Sequence, residues 1–286
     1  SFMSMEDIIV TNEADLKKKK ENILNTGHKK LHILADFDRT LTKAFVDGKK
    51  ISSIIAELRN GNYISKDYAE KAHALADKYH PIEIDPGVPL EEKKKAMQEW
   101  WSKHFELLIK SGLKKDHIKQ VIDSGKIQFR KGTLNLLDFL HEQNIPLVII
   151  SSAGLGGESI KMILEKENKM YSNIYIISNS YDWDSNGNAI RIKKPIIHVF
   201  NKDETVIKKF PFYDKIKNRK NVLLLGDSLG DLGMIKGFNY DNLIKIGFLN
   251  ENAEENLKTF KDAYDVVILN DGTMDFVNKL LEEIVK

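Results

Sequence analysis

The chain has no cysteine. That absence removes disulfides, thiolate catalysis and Cys-ligated zinc together, and it fits a reducing compartment. There is no apolar run near the roughly 20 residues that a membrane-spanning helix needs. The N-terminal residues lack the basic-then-apolar order of a signal peptide, because Glu6, Asp7 and Glu13 interrupt it. Nor is there an excess of one charge: 44 Lys and Arg stand against 42 Asp and Glu, a formal net charge of +2. A balance that even argues against a nucleic acid polymer or a membrane as the main partner. The one basic block, Lys17-Lys18-Lys19-Lys20, suits a solvated helix face. A cytoplasmic protein is expected, with its oligomeric state left open.

What is present points to an enzyme core. With 42% hydrophobic and 30% charged residues, 286 residues suffice for one large domain or for a core plus a smaller one. Short aliphatic runs recur at Leu31–Ala35, Leu147–Ile150, Val222–Leu225 and Val266–Leu269. They do not alternate, as in parallel strands covered on both faces. Helical patterns lie between them, for example Ser159–Glu165. The fold class expected is therefore α/β, a doubly wound, mostly parallel sheet. Residues 48–129 break the alternation with at least three helical segments and no convincing strand. The clearest helix begins at Pro89, with Glu91 and Glu92 in its first turn, and stops near Gly112. This stretch reads as an inserted all-helical cap. The division expected is an N-terminal helical segment over 1–30, a core of 31–47 and 130–286, and a cap of 48–129. Tyr181–Ile190, centred on Asn186-Gly187, reads as a β-hairpin.

In a sheet of this kind ligands bind outside the carboxyl ends of the strands, where Asp36, Ser152 and Asp227 fall. Asp36 and Asp38 follow the first run. A carboxylate at a strand's open end can attack an electrophile, and a second one, offset by a turn, can donate and later accept a proton. Two carboxylates so close call for a cation or a shared proton. Taken alone, Asp-x-Asp fits a turn or a helix cap equally well. The second acidic end, Gly226-Asp227-Ser228-Leu229-Gly230-Asp231, strengthens the chemical reading, since Asp36 and Asp227 supply hard oxygen ligands suited to Mg²⁺. The turn Ser151-Ser152-Ala153-Gly154-Leu155-Gly156-Gly157 precedes a helix, and its hydroxyls and amides suit phosphoryl oxygens, or simply a strand-to-helix connection. A lone Lys such as Lys202 is more often a surface residue, and a role for it in neutralising charge on a transferring group leans on the resemblance that follows.

These motifs, in this order, resemble the haloacid-dehalogenase-type phosphatases. The intervening text narrows the likeness: Ile82-Glu83-Ile84-Asp85-Pro86, Glu99-Trp100-Trp101, Ser152-Ala153-Gly154-Leu155-Gly156, Val199-Phe200-Asn201-Lys202 and Leu225-Gly226-Asp227-Ser228-Leu229-Gly230-Asp231-Leu232 resemble the cytosolic pyrimidine 5′-nucleotidases. The resemblance implies Mg²⁺-dependent hydrolysis of nucleoside 5′-monophosphates. It makes Asp36 the nucleophile and Asp38 the general acid and base. Mg²⁺ would be held by the Asp36 carboxylate, the Asp38 backbone carbonyl and Asp227, with Asp231 in support. It gives Ser152 and Ala153 to the phosphate, Lys202 to its charge, and Glu83 to the nucleobase. The substrates implied are pyrimidine nucleotides such as CMP and UMP, or 7-methyl-GMP, towards which the doubled Trp100-Trp101 leans.

Three places in the chain depart from that pattern. Arg39 replaces the usual methionine, Thr42-Lys43-Ala44 replaces the usual Ser-Arg ending, and His104 stands where a small residue is common. On a helix Trp100 and His104 share one face, while Met97, Trp101, Phe105 and Leu108 form an adjoining stripe. The Trp101 stripe reads as cap core and Trp100 and His104 as base contacts, with a structural histidine as the alternative. Another small-molecule phosphatase or a nucleoside phosphotransferase would share every core motif. A binding module without catalysis is disfavoured because each catalytic position is filled. A receiver-type domain would lack the helical insertion.

Overall fold

The computed structural model describes residues 7–203 and 207–285; residues 1–6 of the N-terminal segment lie outside these. The described chain opens with β1 (Ile8–Val10) and α1 (Glu13–Thr26), and a short turn leads to β2 (Leu31–Ala35). A small ribbon follows, β3 (Phe45–Val46) and β4 (Lys49–Lys50), and then four helices in succession: α2 (Ile54–Asn60), α3 (Lys66–Ile84), α4 (Leu90–Lys110) and α5 (Lys115–Asp123). Alternation resumes with α6 (Thr133–Glu142), β5 (Leu147–Ile150), α7 (Gly156–Lys166) and β6 (Ile174–Ile177). β7 (Tyr181–Trp183) and β8 (Ala189–Ile192) form a hairpin. β9 (Asn221–Gly226), β10 (Asn242–Leu249) and β11 (Val266–Leu269) complete the strands, and a helix over Asp275–Ile284 closes the described chain.

Seven strands make one sheet in the order β1-β11-β10-β9-β2-β5-β6. All neighbours are parallel except β1, which runs antiparallel on β11. The sheet is α/β and doubly wound, and both of its faces are covered. Leu223 and Leu225 of β9 point into one apolar cluster and Val222 and Leu224 into the other, which is why the run is continuous rather than alternating. Two departures from the sequence expectation stand out. Residues 8–10, read as part of a helical segment, form edge strand β1, and the ribbon β3–β4 reaches into the stretch read as strand-free. A run of three apolar residues carries too little period to separate strand from helix.

The four inserted helices start on recognisable signals. The Ser53 and Ser65 side chains accept backbone N–H groups of Ala56 and Tyr68, capping α2 and α3. Pro89 precedes α4, whose first turn carries Glu91 and Glu92 and whose last carries Lys110, as the helix dipole favours. α3 and α4 pack on each other around Tyr79, Ala96, Met97 and Trp100. Among the described residues no helix is long and apolar enough to cross a membrane.

Candidate active site

Strand register brings the motifs together. Ala35 of β2 pairs with Leu225 of β9 on one side and Ile149 of β5 on the other. Asp36, Asp227 and Ser152 therefore emerge at the same carboxyl edge, at the point where strand order reverses. The Asp36 N–H still donates to Leu225 O at 3.1 Å, so the side chain leaves a fixed backbone. Beyond it the chain folds over the buried Phe37, whose carbonyl accepts from Thr40 N at 3.2 Å and Leu41 N at 3.0 Å. Arg39 closes this turn with φ 63°, in the left-handed region. The turn carries Asp38 off the line of β2.

Asp231 organises the second acidic end. Its Oδ2 accepts the backbone N–H groups of Asp227 at 2.9 Å and Ser228 at 3.2 Å. This approach requires the missing side chain of Gly226, where a Cβ would lie 2.6 Å from Asp231 Cβ. One carboxylate oxygen from each of Asp36, Asp227 and Asp231 lies within 4.8 Å of the others. Burial first, and the neighbouring carboxylates next, raise the pKa values of Asp36 and Asp227 above the usual carboxylate range. Three hard oxygen donors crowded together, two of them penalised for being charged, make a donor set that a divalent cation such as Mg²⁺ fits.

Lys202 supplies the charge that the fold itself provides. Its Nζ reaches Asp36 Oδ1 at 2.8 Å and Asp231 Oδ1 at 3.2 Å, and the residue is 4% exposed. Burial alone would favour the neutral amine, but the two carboxylates outweigh it and hold the proton more tightly than usual. The loop before it is pinned by Asn201, whose side chain accepts His198 N–H and donates to Ile196 O. Asp38 is half-buried at the mouth. Burial, then the Asp36 charge, pushes its carboxyl up to about 7, against the opposing effects of Lys202 and of a hydrogen bond from the Ile54 backbone at the start of α2. A carboxyl poised there can both give and take a proton near neutrality.

The remaining candidates divide between core and inserted helices. Ser152 and Ala153 lie between β5 and α7, and Ala153 N donates to Ser151 Oγ at 3.1 Å. Gly154 is where this loop meets the insertion: a Cβ there would fall 2.3 Å from Ile55 Cδ1 and 2.9 Å from Trp101 Cζ3. Glu83 is half-buried near the end of α3, with His80 Nδ1 at 3.4 Å from its Oε1. Its neighbour Ile82 packs in the same cluster as Phe200, two residues before Lys202. Trp100, Trp101 and His104 form a ladder of rings, with centroids 5.8 Å apart for the two tryptophans and 5.9 Å for Trp101 and His104.

The helix-face assignment is corrected here. Trp100 is 8% exposed against Tyr79, and His104 is 1% exposed with its Nε2 hydrogen-bonded to Tyr68 Oη at 2.8 Å. Trp101, read as core, is the partly exposed member and abuts Gly154. α4 packs on α3 with one face and on the core with the next, so Trp100 and His104, read as base contacts, are buried. Of the Trp101 stripe, Met97, Phe105 and Leu108 are buried as read and Trp101 is partly exposed. Sequence reasoning also missed Arg130. Its guanidinium, 1% exposed, donates to the carbonyls of Thr40, Arg39 and Gly272 and to Asn250 and Asp271. Those bonds clamp the turn that carries Asp38. No motif marks it, because most of its partners are backbone carbonyls distant in sequence.

A doubly wound sheet with paired aspartates and a lysine at its switch point is the architecture of the haloacid-dehalogenase-type phosphatases. Substrate-bound phosphoserine phosphatase superposes on 90% of this chain and 98% of its own with a TM-score of 0.52 at 16% identity, a likeness of fold alone. The chain belongs to the pyrimidine 5′-nucleotidase (UMPH-1) family, whose model matches residues 39–285. It is 37% identical over 263 residues to the 7-methylguanosine phosphate-specific 5′-nucleotidase of Gallus gallus, covering 92% of this chain and 90% of that one. The Homo sapiens enzyme of the same description is 36% identical, covering 90% and 86%. Cytosolic 5′-nucleotidase IIIB bound to cytidine superposes with a TM-score of 0.88 at 29% identity, over 98% of this chain and 94% of its own.

Proposed function

We propose that this chain hydrolyses nucleoside 5′-monophosphates, 7-methyl-GMP and CMP among them, through an aspartyl-phosphate on Asp36. The observation that carries this is the carboxylate trio Asp36, Asp227 and Asp231 within 4.8 Å at the open end of adjacent parallel strands, with Lys202 bridging Asp36 and Asp231. An Asp36 oxygen attacks phosphorus, the bond to the 5′-oxygen breaks, and the Asp38 carboxyl gives its proton to the departing oxygen. Asp38 then takes a proton from the water that attacks the same phosphorus, releasing phosphate and restoring Asp36. The Asp36 and Asp227 carboxylates and the Asp38 carbonyl, with Asp231 in support, would hold Mg²⁺, whose charge offsets that of the phosphoryl oxygens. Lys202 adds to this, and Ser152 and Ala153 bind the same oxygens.

Residues 48–129 act in this scheme as a cap over a core of 31–47 and 130–286. Glu83 accepts from the donor edge of the base, and Trp101, backed by Trp100 and His104, offers a ring face. Support for the substrate class comes from the relatives described as 7-methylguanosine phosphate-specific and from the neighbour bound to cytidine. A cytosolic location belongs to the same proposal, in line with the name of that neighbour. The test is phosphate release from CMP, UMP, AMP, GMP and 7-methyl-GMP, with and without EDTA. Release from CMP or 7-methyl-GMP, stopped by EDTA and restored by Mg²⁺, is expected. Inertness towards all five, or turnover indifferent to chelation, would sink the proposal.

A further inference from the structure

Arg39 is held at two ends by different partners. Its backbone is fixed without help from its side chain: the N–H donates to Thr42 Oγ1 at 2.8 Å, and the carbonyl accepts from Arg130 Nη2 at 2.7 Å and Asn250 Nδ2 at 2.9 Å. The side chain is 13% exposed, with Nε 3.9 Å from Asp227 Oδ2 and Nη2 3.1 Å from Glu251 Oε1. Glu251 is itself shared, because Lys50 of β4 reaches the same oxygen at 2.6 Å. Arg39 Nη1 is buried with no hydrogen-bond partner among the described residues, so the guanidinium is only partly satisfied by the groups around it.

A guanidinium keeps its proton at any working pH, so its charge is a permanent feature of this wall. Beside a largely buried carboxylate that charge is poorly screened. It competes for the Asp227 oxygens that a cation would use, and it repels a cation placed against them. Glu251 acts in the opposite sense, cancelling part of the guanidinium charge and drawing its far end away from Asp227. Lys50, by occupying the same carboxylate, limits how much of that relief reaches Arg39.

The geometry points to Arg39 and Glu251 as an opposed pair that sets how tightly this chain binds Mg²⁺, Arg39 weakening the hold and Glu251 restoring it. This rests on the carboxylate trio being the cation site of the proposed function. Neither side chain touches the reacting atoms; both act through Asp227.

The experiment is calorimetric titration of Mg²⁺ into the full chain without nucleotide, comparing wild type, Arg39→Met and Glu251→Gln. Arg39→Met is expected to lower the Mg²⁺ dissociation constant about tenfold and Glu251→Gln to raise it a few-fold, shifts of opposite sign from neighbouring residues. A general loosening of the site would weaken binding in both variants, so same-direction shifts overturn the pairing. An unchanged or raised dissociation constant in Arg39→Met overturns it as well. Absence of Mg²⁺ binding in wild type and both variants would remove the cation site itself, and the proposed metal with it. That failure is distinct from normal wild-type affinity that the substitutions leave alone.

Discussion

In the core, Lys202 and Asp231 each make at least two short polar contacts at the carboxylate centre, and Asp36 is fixed through both its amide and its side chain. In the inserted helices, Trp100 and His104 are held chiefly by ring packing, and Trp100 Nε1 and His104 Nδ1 are buried with no partner among the described residues. Asp36, Asp231 and Lys202 thus spend their polar atoms on one another, whereas Trp100 and His104 each keep one buried nitrogen unmatched, as Arg39 Nη1 does beside the carboxylates. Fixed charges preorganised around an attacked phosphorus stabilise the transition state without rearrangement. A stack of largely buried rings constrains shape through packing rather than through hydrogen bonds. One region is a charge-linked polar centre and the other a ring-packed apolar layer.

Substitutions can break that contrast. Asp36→Asn should give the largest effect, a loss of at least about 10³-fold in kcat for every phosphate ester tested, because a carboxamide cannot form the aspartyl-phosphate. Its melting temperature should stay near that of wild type, since the amide oxygen can still accept from Lys202. A variant that keeps substantial turnover would show the nucleophile to be elsewhere.

A second test lies in the aromatic wall and depends on pH. Burial, helped by the Arg59 charge, pushes the His104 imidazole down to about 3. The folded state therefore binds this proton less well than the unfolded chain, whose histidine titrates near 6.5. The stability His104 allows is fully present above that value and is lost as pH falls towards 3, a cost of about 2 kcal/mol at pH 5. Urea unfolding at pH 7.5 and pH 5 should show a smaller acid penalty for His104→Gln than for wild type by about that amount. Equal penalties would mean that His104 is hydrated in the fold.

The smallest effect sharpens the division. Glu83→Ala should lower kcat/KM for CMP or 7-methyl-GMP about tenfold, the worth of one charge-assisted hydrogen bond, while leaving an aryl phosphate almost untouched. Equal losses on both would place Glu83 in the chemistry rather than in recognition.

Sequence and structure agree best where the chemistry is local. β2, β5 and β11 fall on the residues read as apolar runs, and the acidic pairs sit at the strand ends where a parallel sheet exposes them. β10 escaped because Lys245 interrupts its apolar run; the backbone N–H there is bonded to Asp265, a contact with no sequence signal. The burial of Trp100 and the partial exposure of Trp101 were equally hidden, since a helical period reports which residues share a face and not which neighbour that face meets. Arg130 is the plainest case. Its surroundings, the turn after β2 and the loops after β10 and β11, exist only once the sheet has formed.

Gly154 has a mechanical meaning. Where the loop after β5 meets the insertion, a Cβ on residue 154 would lie 2.3 Å from Ile55 Cδ1 and 2.9 Å from Trp101 Cζ3. The glycine works as a feeler gauge between the two layers. Ile55 sits next to Ile54, whose backbone hydrogen-bonds Asp38. A side chain at position 154 would therefore press on Ile55 and Trp101, next to the α2 backbone that hydrogen-bonds Asp38.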